Sequence, residues 1–300
     1  MRVGLVLPIA EEDGAGGVAP SYATIRELAK SADSGGLDSI WVFDHLLFRA
    51  DGATTGIHEC WTILSALAEA TSRVQLGSIV MCTSFRNPAL LAKMAGTLDH
   101  VSDGRLILGV GCGWHEPEYE AFGFPFDHRV GRFEEALAVI VGLIREGRAD
   151  LDGQWVQARD AVLLPPARPD IPILIAAKRP RMLELTARHA DAWNLAWFGE
   201  PNERFDTIRA DLMTACETVG RDPASLEITA GLTVRFADRL DPAKPTDTSP
   251  AIDGSRPGAI EAGLDAWQVI GTDHAIVGLD PCDADTVARF TAAVAAWRDR

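Results

Sequence analysis

The fold that this sequence predicts is a closed eight-stranded α/β barrel, the (β/α)8 or TIM-barrel class. Three observations point to it. Short apolar strands alternate with amphipathic helices eight times along the chain. Its 300 residues, 47% of them hydrophobic, are enough to fill one barrel core. No internal repeat or linker interrupts the series, so residues 1–300 read as a single domain. A six-stranded doubly wound sheet with an appendix is the competing architecture.

The elements follow in order. A strand at 3–7 leads into a glycine-rich loop at 13–17. The helix at 21–34 places Ile25, Leu28, Ala29 and Ala32 on one face and stops at Gly35-Gly36. A second strand, 39–43, ends at Asp44-His45. A helix at 59–71 precedes the third strand, 74–81. Asn87 caps the next helix and Pro88 takes its first turn, where a missing N–H costs nothing. Leu90, Leu91, Met94, Leu98 and Val101 recur at helical spacing and are expected to face the sheet. Ser102-Asp103-Gly104 supplies turn chemistry, and a buried strand from Arg105 runs into Gly111-Cys112-Gly113-Trp114. A helix at 128–146 carries Phe133, Leu137, Ile140 and Ile144 on one face. Residues 150–166 read as a polar hairpin excursion turning at Asp152-Gly153. Strands at 172–176, 192–196 and 226–234 are separated by helices at 180–190 and 202–219. Residues 238–257, rich in Pro, Asp, Thr and Ser, read as a surface loop insertion. A helix at 257–270 and a strand at 274–279 precede the last helix, with Val287, Phe290, Val294 and Trp297 at helical spacing.

Charge and composition exclude several roles. The excess of 43 acidic over 28 basic residues gives a net charge of −15, which disfavours nucleic acid and anionic membrane as partners. No apolar run reaches membrane-spanning length. The first eight residues read as a strand rather than a signal peptide. The five cysteines (60, 82, 112, 216 and 282) form no Cys-x-x-Cys pair, as expected of buried reduced thiols in a cytoplasmic protein.

In such a barrel, chemistry belongs to the residues just past each strand's C-terminal end. The first strand ends without His-x-His, against the metal-dependent hydrolase barrels. His115 and Glu118 stand one helical turn apart, a weak metal pattern, and no metal is expected. The second strand offers His45 as an acid or base near neutral pH, with Asp44 as the group that orients it. The third ends in the small polar run Cys82-Thr83-Ser84, suited to a ring-shaped ligand. The fourth offers glycine backbone and Trp114 as a pocket wall, with Glu118 and Tyr119 on a short helical stretch beyond. After the fifth, Ala176-Ala177-Lys178-Arg179 precedes Pro180 at a helix start, where free N–H groups and two cations favour a phosphate. The sixth contributes Trp193, Asn194 and Trp197. No nucleotide P-loop is present. Loops 9–20, 46–57 and 238–257 would shape the substrate pocket.

Taken together, these residues resemble the bacterial-luciferase-like flavin and deazaflavin oxidoreductases. The resemblance rests on Asp44-His45, Thr71 to Gly77, Arg86 to Lys93, Gly104 to Trp114 with Glu118 and Tyr119, Arg132 to Glu135, and Ala187 to Asn194. Within that family the chain is most similar to the branch that uses coenzyme F420, a 5-deazaflavin. The resemblance implies a small-molecule oxidoreductase whose barrel mouth holds an isoalloxazine-like ring. It implies a bulge near Met81-Cys82 behind that ring, and cofactor contacts from Asp44, Met81, Cys82, Thr83, Gly111, Cys112, Gly113, Trp114 and Tyr119. The phosphate would lie near Ala176, Ala177, Lys178 and Arg179, where this chain departs from the family's usual glycine-rich run. His45 is the expected proton donor or acceptor, with Glu118 second to it. An FMN-dependent monooxygenase served by a flavin reductase is the alternative, and a catalytically silent ligand-binding relative a third reading. A homodimer is expected.

Overall fold

The computed structural model describes residues 1–50, 52–240 and 248–300. Its strands β1 (Arg2–Val6), β2 (Ser39–Val42), β3 (Gln75–Ser78), β4 (Leu106–Gly111), β5 (Ile173–Ala176), β6 (Ala192–Phe198), β7 (Glu227–Arg235) and β8 (His274–Asp280) form one ring. Each pairs in parallel with the next, and β8 closes onto β1. The eightfold barrel is therefore present and the doubly wound alternative is not. Helices α1 (Tyr22–Ser34), α2 (Cys60–Ala70), α3 (Pro88–Val101), α4 (Arg129–Val141), α5 (Pro180–His189), α6 (Glu203–Val219), α7 (Ala259–Val269) and α8 (Ala284–Arg298) surround it.

Local chemistry sets the helix limits. Ser21 accepts a hydrogen bond from the Thr24 amide, and Asn87 accepts one from Leu90. Ile25, Leu28, Ala29 and Ala32 are all buried, and a side chain the size of Leu28 gains about 1.5–3 kcal/mol from that burial. Along α3, Leu91 and Leu98 are buried and Met94 packs on the core, but Leu90 and Val101 lie exposed. Their spacing matched the period, yet they fall at the edges of the apolar stripe.

Trp41, fully buried, fills the barrel's interior with Val6, Ile107, Leu174, Ala192 and Ile276. Two glycines make room for it. A Cβ on Gly4 would lie 2.6 Å from the indole nitrogen, and one on Gly77 2.1 Å from the indole carbons. Below the indole, its N–H donates to Ser39 Oγ (2.7 Å), which itself lies 2.7 Å from His274 Nε2. Arg2, paired with Glu227 and Gln75, completes this polar floor.

Three stretches differ from their sequence reading. Residues 46–57 contain an antiparallel hairpin, Leu47–Ala50 with Ala53–Gly56. The third strand stops at Ser78, and the chain jogs through the cis Ile79–Val80 peptide before Met81–Cys82 rejoins the sheet beside Val110 and Gly111. Of the expected loop 238–257, residues 241–247 lie outside the described residues, and Ile252–Asp253 forms a short parallel strand on Val234 and Arg235 with Ile252 buried. The hairpin expected at 150–166 is present as Arg148–Asp152 with Gln157–Val162, its turn held by Glu135, which accepts three backbone N–H bonds.

Candidate active site

At the C-terminal ends of β2, β3 and β4, a buried ionic cluster fixes the backbone. Asp44 is 2% exposed and pairs with both terminal nitrogens of Arg86, at 2.6 and 3.0 Å. Asp44 also accepts the Cys82 amide (2.9 Å), while Arg86 reaches Glu59, the N-cap of α2. Burial pushes the Asp44 carboxyl up from its ordinary value, against the pull of Arg86. The sequence reading placed Asp44 behind His45 and against a cofactor. Its oxygens are instead committed to Arg86 and Cys82.

The group that holds His45 is Glu118. Nδ1 of His45 donates to Glu118 Oε1 at 2.8 Å, and the other carboxylate oxygen accepts the Leu46 amide at 2.8 Å. Glu118 is 1% exposed, and its two oxygens are engaged by His45 and Leu46. With Nδ1 donating, Nε2 is left without a partner among the described residues, and the side chain is 14% exposed. The imidazole is bracketed by Phe48 (4.4 Å between ring centroids) and Trp114 (5.5 Å, nearly edge-on). His115 turns away from Glu118 and accepts the Arg49 amide through Nε2 at 3.0 Å. The two thus hold different backbone segments.

Behind the fourth strand's end runs a second chain of bonds. Tyr119 donates its hydroxyl proton to Cys112 O (3.0 Å), so the Cys82 thiol, 2.9 Å away, donates to Tyr119 Oη. Burial pushes the Cys82 thiol up to about 12, which keeps it protonated. Gly113 crosses over this pair at φ +71°, where a Cβ would lie 1.8 Å from Tyr119 Oη. Its carbonyl accepts from Arg129 Nη1 at 2.8 Å.

The remaining expected cofactor contacts divide by exposure. Side chains of Met81, Thr83 and Tyr119 are buried in the protein, where neighbouring side chains already cover them. Thr83 lies 3.4 Å from Gly111 O, and Met81 contacts Cys60. Gly111 is buried at a strand end, whereas Cys112, Gly113 and Ala176 are half-exposed and Trp114 is 64% exposed. Ala177 spends its N–H on Asn194 O and its carbonyl on Trp193 Nε1. That indole is itself fully buried and Asn194 bonds Thr229, so only Trp197 of the sixth-strand trio reaches solvent. Lys178 and Arg179 are exposed and form no ion pair among the described residues. Arg179 precedes α5 without a side-chain cap, leaving that helix start open.

Sequence reasoning missed Arg129. Burial pushes the Cys112 thiol up, and the charges of Arg129 and Lys178 pull it back, so both cations flank the same strand end. No local motif marks Arg129, because α4 delivers it from 16 residues beyond Gly113. A separate cleft of about 300 Å³, bounded by Ser84, Arg86, Arg132 and Trp155, opens elsewhere, and neither His45 nor Lys178 lines it.

The luciferase-like monooxygenase family profile matches residues 1–245. The chain belongs to that family. Among curated proteins it is 37% identical over 214 residues to a phthiodiolone/phenolphthiodiolone dimycocerosates ketoreductase of Mycobacterium sp. (strain JLS), covering 63% of this chain and 55% of that one. It is 32% identical over 205 residues to pyrimidine monooxygenase RutA of Methylorubrum extorquens, covering 64% and 56%. The matched regions thus span little more than half the length of these relatives. Two solved structures share the fold. The coenzyme F420-dependent tetrahydromethanopterin reductase of Methanopyrus kandleri superposes with a TM-score of 0.77 at 17% identity over 97% of each chain. An F420-dependent secondary alcohol dehydrogenase in complex with an F420-acetone adduct superposes with a TM-score of 0.77 at 18% identity over 99% of each. The family is one of luciferase-like monooxygenases, and the solved structures that share its fold include F420-dependent enzymes. No helix among the described residues is long and apolar enough to cross a membrane.

Proposed function

We propose that this protein transfers a hydride between coenzyme F420 and a small organic substrate. The observation that carries the reading is the His45–Glu118 pair, which leaves Nε2 without a partner among the described residues and set between the Phe48 and Trp114 rings. The strand-end residues fit a flat coenzyme with an anionic tail. Cys112, Gly113 and Ala176 leave the strand ends narrow, while Lys178, Arg179, Arg129 and the uncapped start of α5 suit a phosphate. When bound, a reduced deazaflavin supplies a hydride and does not require oxygen.

The protein's own part is positioning and proton supply. Glu118 holds Nδ1–H and so leaves Nε2 as the basic nitrogen: His45 takes the alcohol proton on Nε2 when the substrate is oxidised, and as the imidazolium returns it to the carbonyl oxygen in reduction. Phe48 and Trp114 limit water around that nitrogen. The similarity to RutA favours a second reading, a reduced-FMN monooxygenase working with a flavin reductase.

Titration with each coenzyme separates the two. The expected result is micromolar binding of F420, weakened about tenfold or more by Lys178→Ala with Arg179→Ala, and turnover under strict anaerobiosis. Product formation that requires both FMN and oxygen would overturn the F420 reading.

A further inference from the structure

We infer that His115 is a positioning residue: it clasps the hairpin after β2 to the barrel mouth and so holds Phe48 against the His45 imidazole. This rests on the reading above for the work of His45 and deepens it. His115 is 9% exposed and stands at the N-cap of the short helix Glu116–Phe122, yet its ring makes no capping bond there. The ring turns instead to the hairpin, where Nε2 accepts the Arg49 N–H at 3.0 Å across 66 residues of sequence. To accept there, Nε2 must be bare and the ring proton carried on Nδ1.

Together with Glu118 this makes a two-point clasp. Glu118, one turn further along the same helix, accepts the Leu46 N–H at 2.8 Å. Two acceptors three residues apart thus take two amides three residues apart, one on either side of Phe48. Arg49 lies opposite Thr54 in the hairpin, and its N–H leaves the ladder for the imidazole. The other strand is held by the Gly56 N–H, which donates to Glu11 Oε2 at 2.7 Å. Two four-residue strands paired with each other are marginal alone, so these side-chain anchors decide where the hairpin sits. Phe48 is the part of it that meets the candidate site. Its ring centre lies 4.4 Å from that of His45 and 5.6 Å from that of His115, the latter pair nearly perpendicular at 74°. Loss of the His115 acceptor frees the strand at Arg49, and the neighbouring Phe48 ring then moves off the imidazole it shields.

The test is NMR spectroscopy on the full, coenzyme-free chain, so its failure and a failure to bind F420 are separate results. In wild type, the Arg49 amide nitrogen and His115 Nε2 should share a scalar coupling across the hydrogen bond, with Nδ1 the protonated ring nitrogen. His115→Phe keeps an aromatic ring and removes the acceptor. It should speed hydrogen exchange at the Arg49 amide about tenfold and weaken the cross-peaks between the Phe48 and His45 ring protons several-fold. His115→Gln, whose side-chain oxygen can accept the same amide, should bring both readouts most of the way back to wild type. Absence of the coupling in wild type overturns the inference. So does a His115→Phe chain with wild-type Arg49 exchange or wild-type cross-peaks, or a His115→Gln chain no nearer to wild type than His115→Phe. The coupling is read on the unaltered protein, and it decides the matter even where a variant fails to fold.

Discussion

His45 depends on a residue 73 positions away. Replacing Glu118 with Gln leaves one acceptor oxygen for two donors, Nδ1–H and the Leu46 amide, and removes the negative charge beside the imidazole. The expected result is a fall in kcat of roughly 10–100-fold with coenzyme affinity unchanged, checked by steady-state kinetics and coenzyme titration. An unaltered kcat and pH profile would show that Glu118 serves only the Leu46 amide. Gly113 carries a different demand, for space and for positive φ. Gly113→Ala should cost about 1–2 kcal/mol for the left-handed backbone alone, more with the clash on Tyr119, and Tyr119→Phe in the same chain should recover part of it. Thermal melts of the single and double variants check this. His45 and the glycine-rich strand end were legible in the sequence because they sit immediately after apolar runs. The partner of His45 was misread because adjacency favoured Asp44, whereas the buried carboxylate arrives from a short helix, Glu116–Phe122, after β4. Arg129 was invisible for the same reason: tertiary packing, not spacing, delivers it.

The connections between elements are held by single long side chains. Arg105, at the start of β4, donates to Ala68 O, Thr71 O, Thr71 Oγ1, Val74 O and Ser102 O, and so ties the end of α2 and the turn before β3 to the end of α3. A lysine offers one ammonium in place of this planar fork. Arg105→Lys should therefore cost roughly 2–4 kcal/mol, read as a lowered urea midpoint with an unchanged m-value. A loss within 0.5 kcal/mol would mean that water replaces those bonds freely. Most elements were readable from period and caps, since Ser21, Asn87 and Pro88 act on local backbone alone. The hairpin after β2 was not. Its strands are four residues long and half-exposed, too short for alternation to register, though Asp51-Gly52 between them is a hairpin signal in its own right. The Ile252–Asp253 strand was hidden because it is only two residues long, its pairing partner is the end of β7, and its sequence context is polar.

At the scale of the whole molecule, closure of the ring depends on the floor where β1, β2, β7 and β8 meet. The Trp41 N–H donates to Ser39 Oγ, which lies within hydrogen-bond distance of His274 Nε2, 2.7 Å away. Burial holds that imidazole below its ordinary value, opposed in part by Glu227. The unfolded chain therefore binds the extra proton first, and stability falls as pH drops below about 6.5. Melting temperatures between pH 7.5 and 5.5 should decline, and His274→Gln should flatten that decline even if it lowers the plateau. An identical slope in the variant would exonerate the floor. Above this floor, Trp41 sits where Gly4 and Gly77 have no side chains at all. The cylinder is consequently a cul-de-sac rather than a tunnel. Guests enter and leave by the same door, and an engineer can recut the lintel, exchanging loops or the hairpin beside His45, without draining the vessel from beneath.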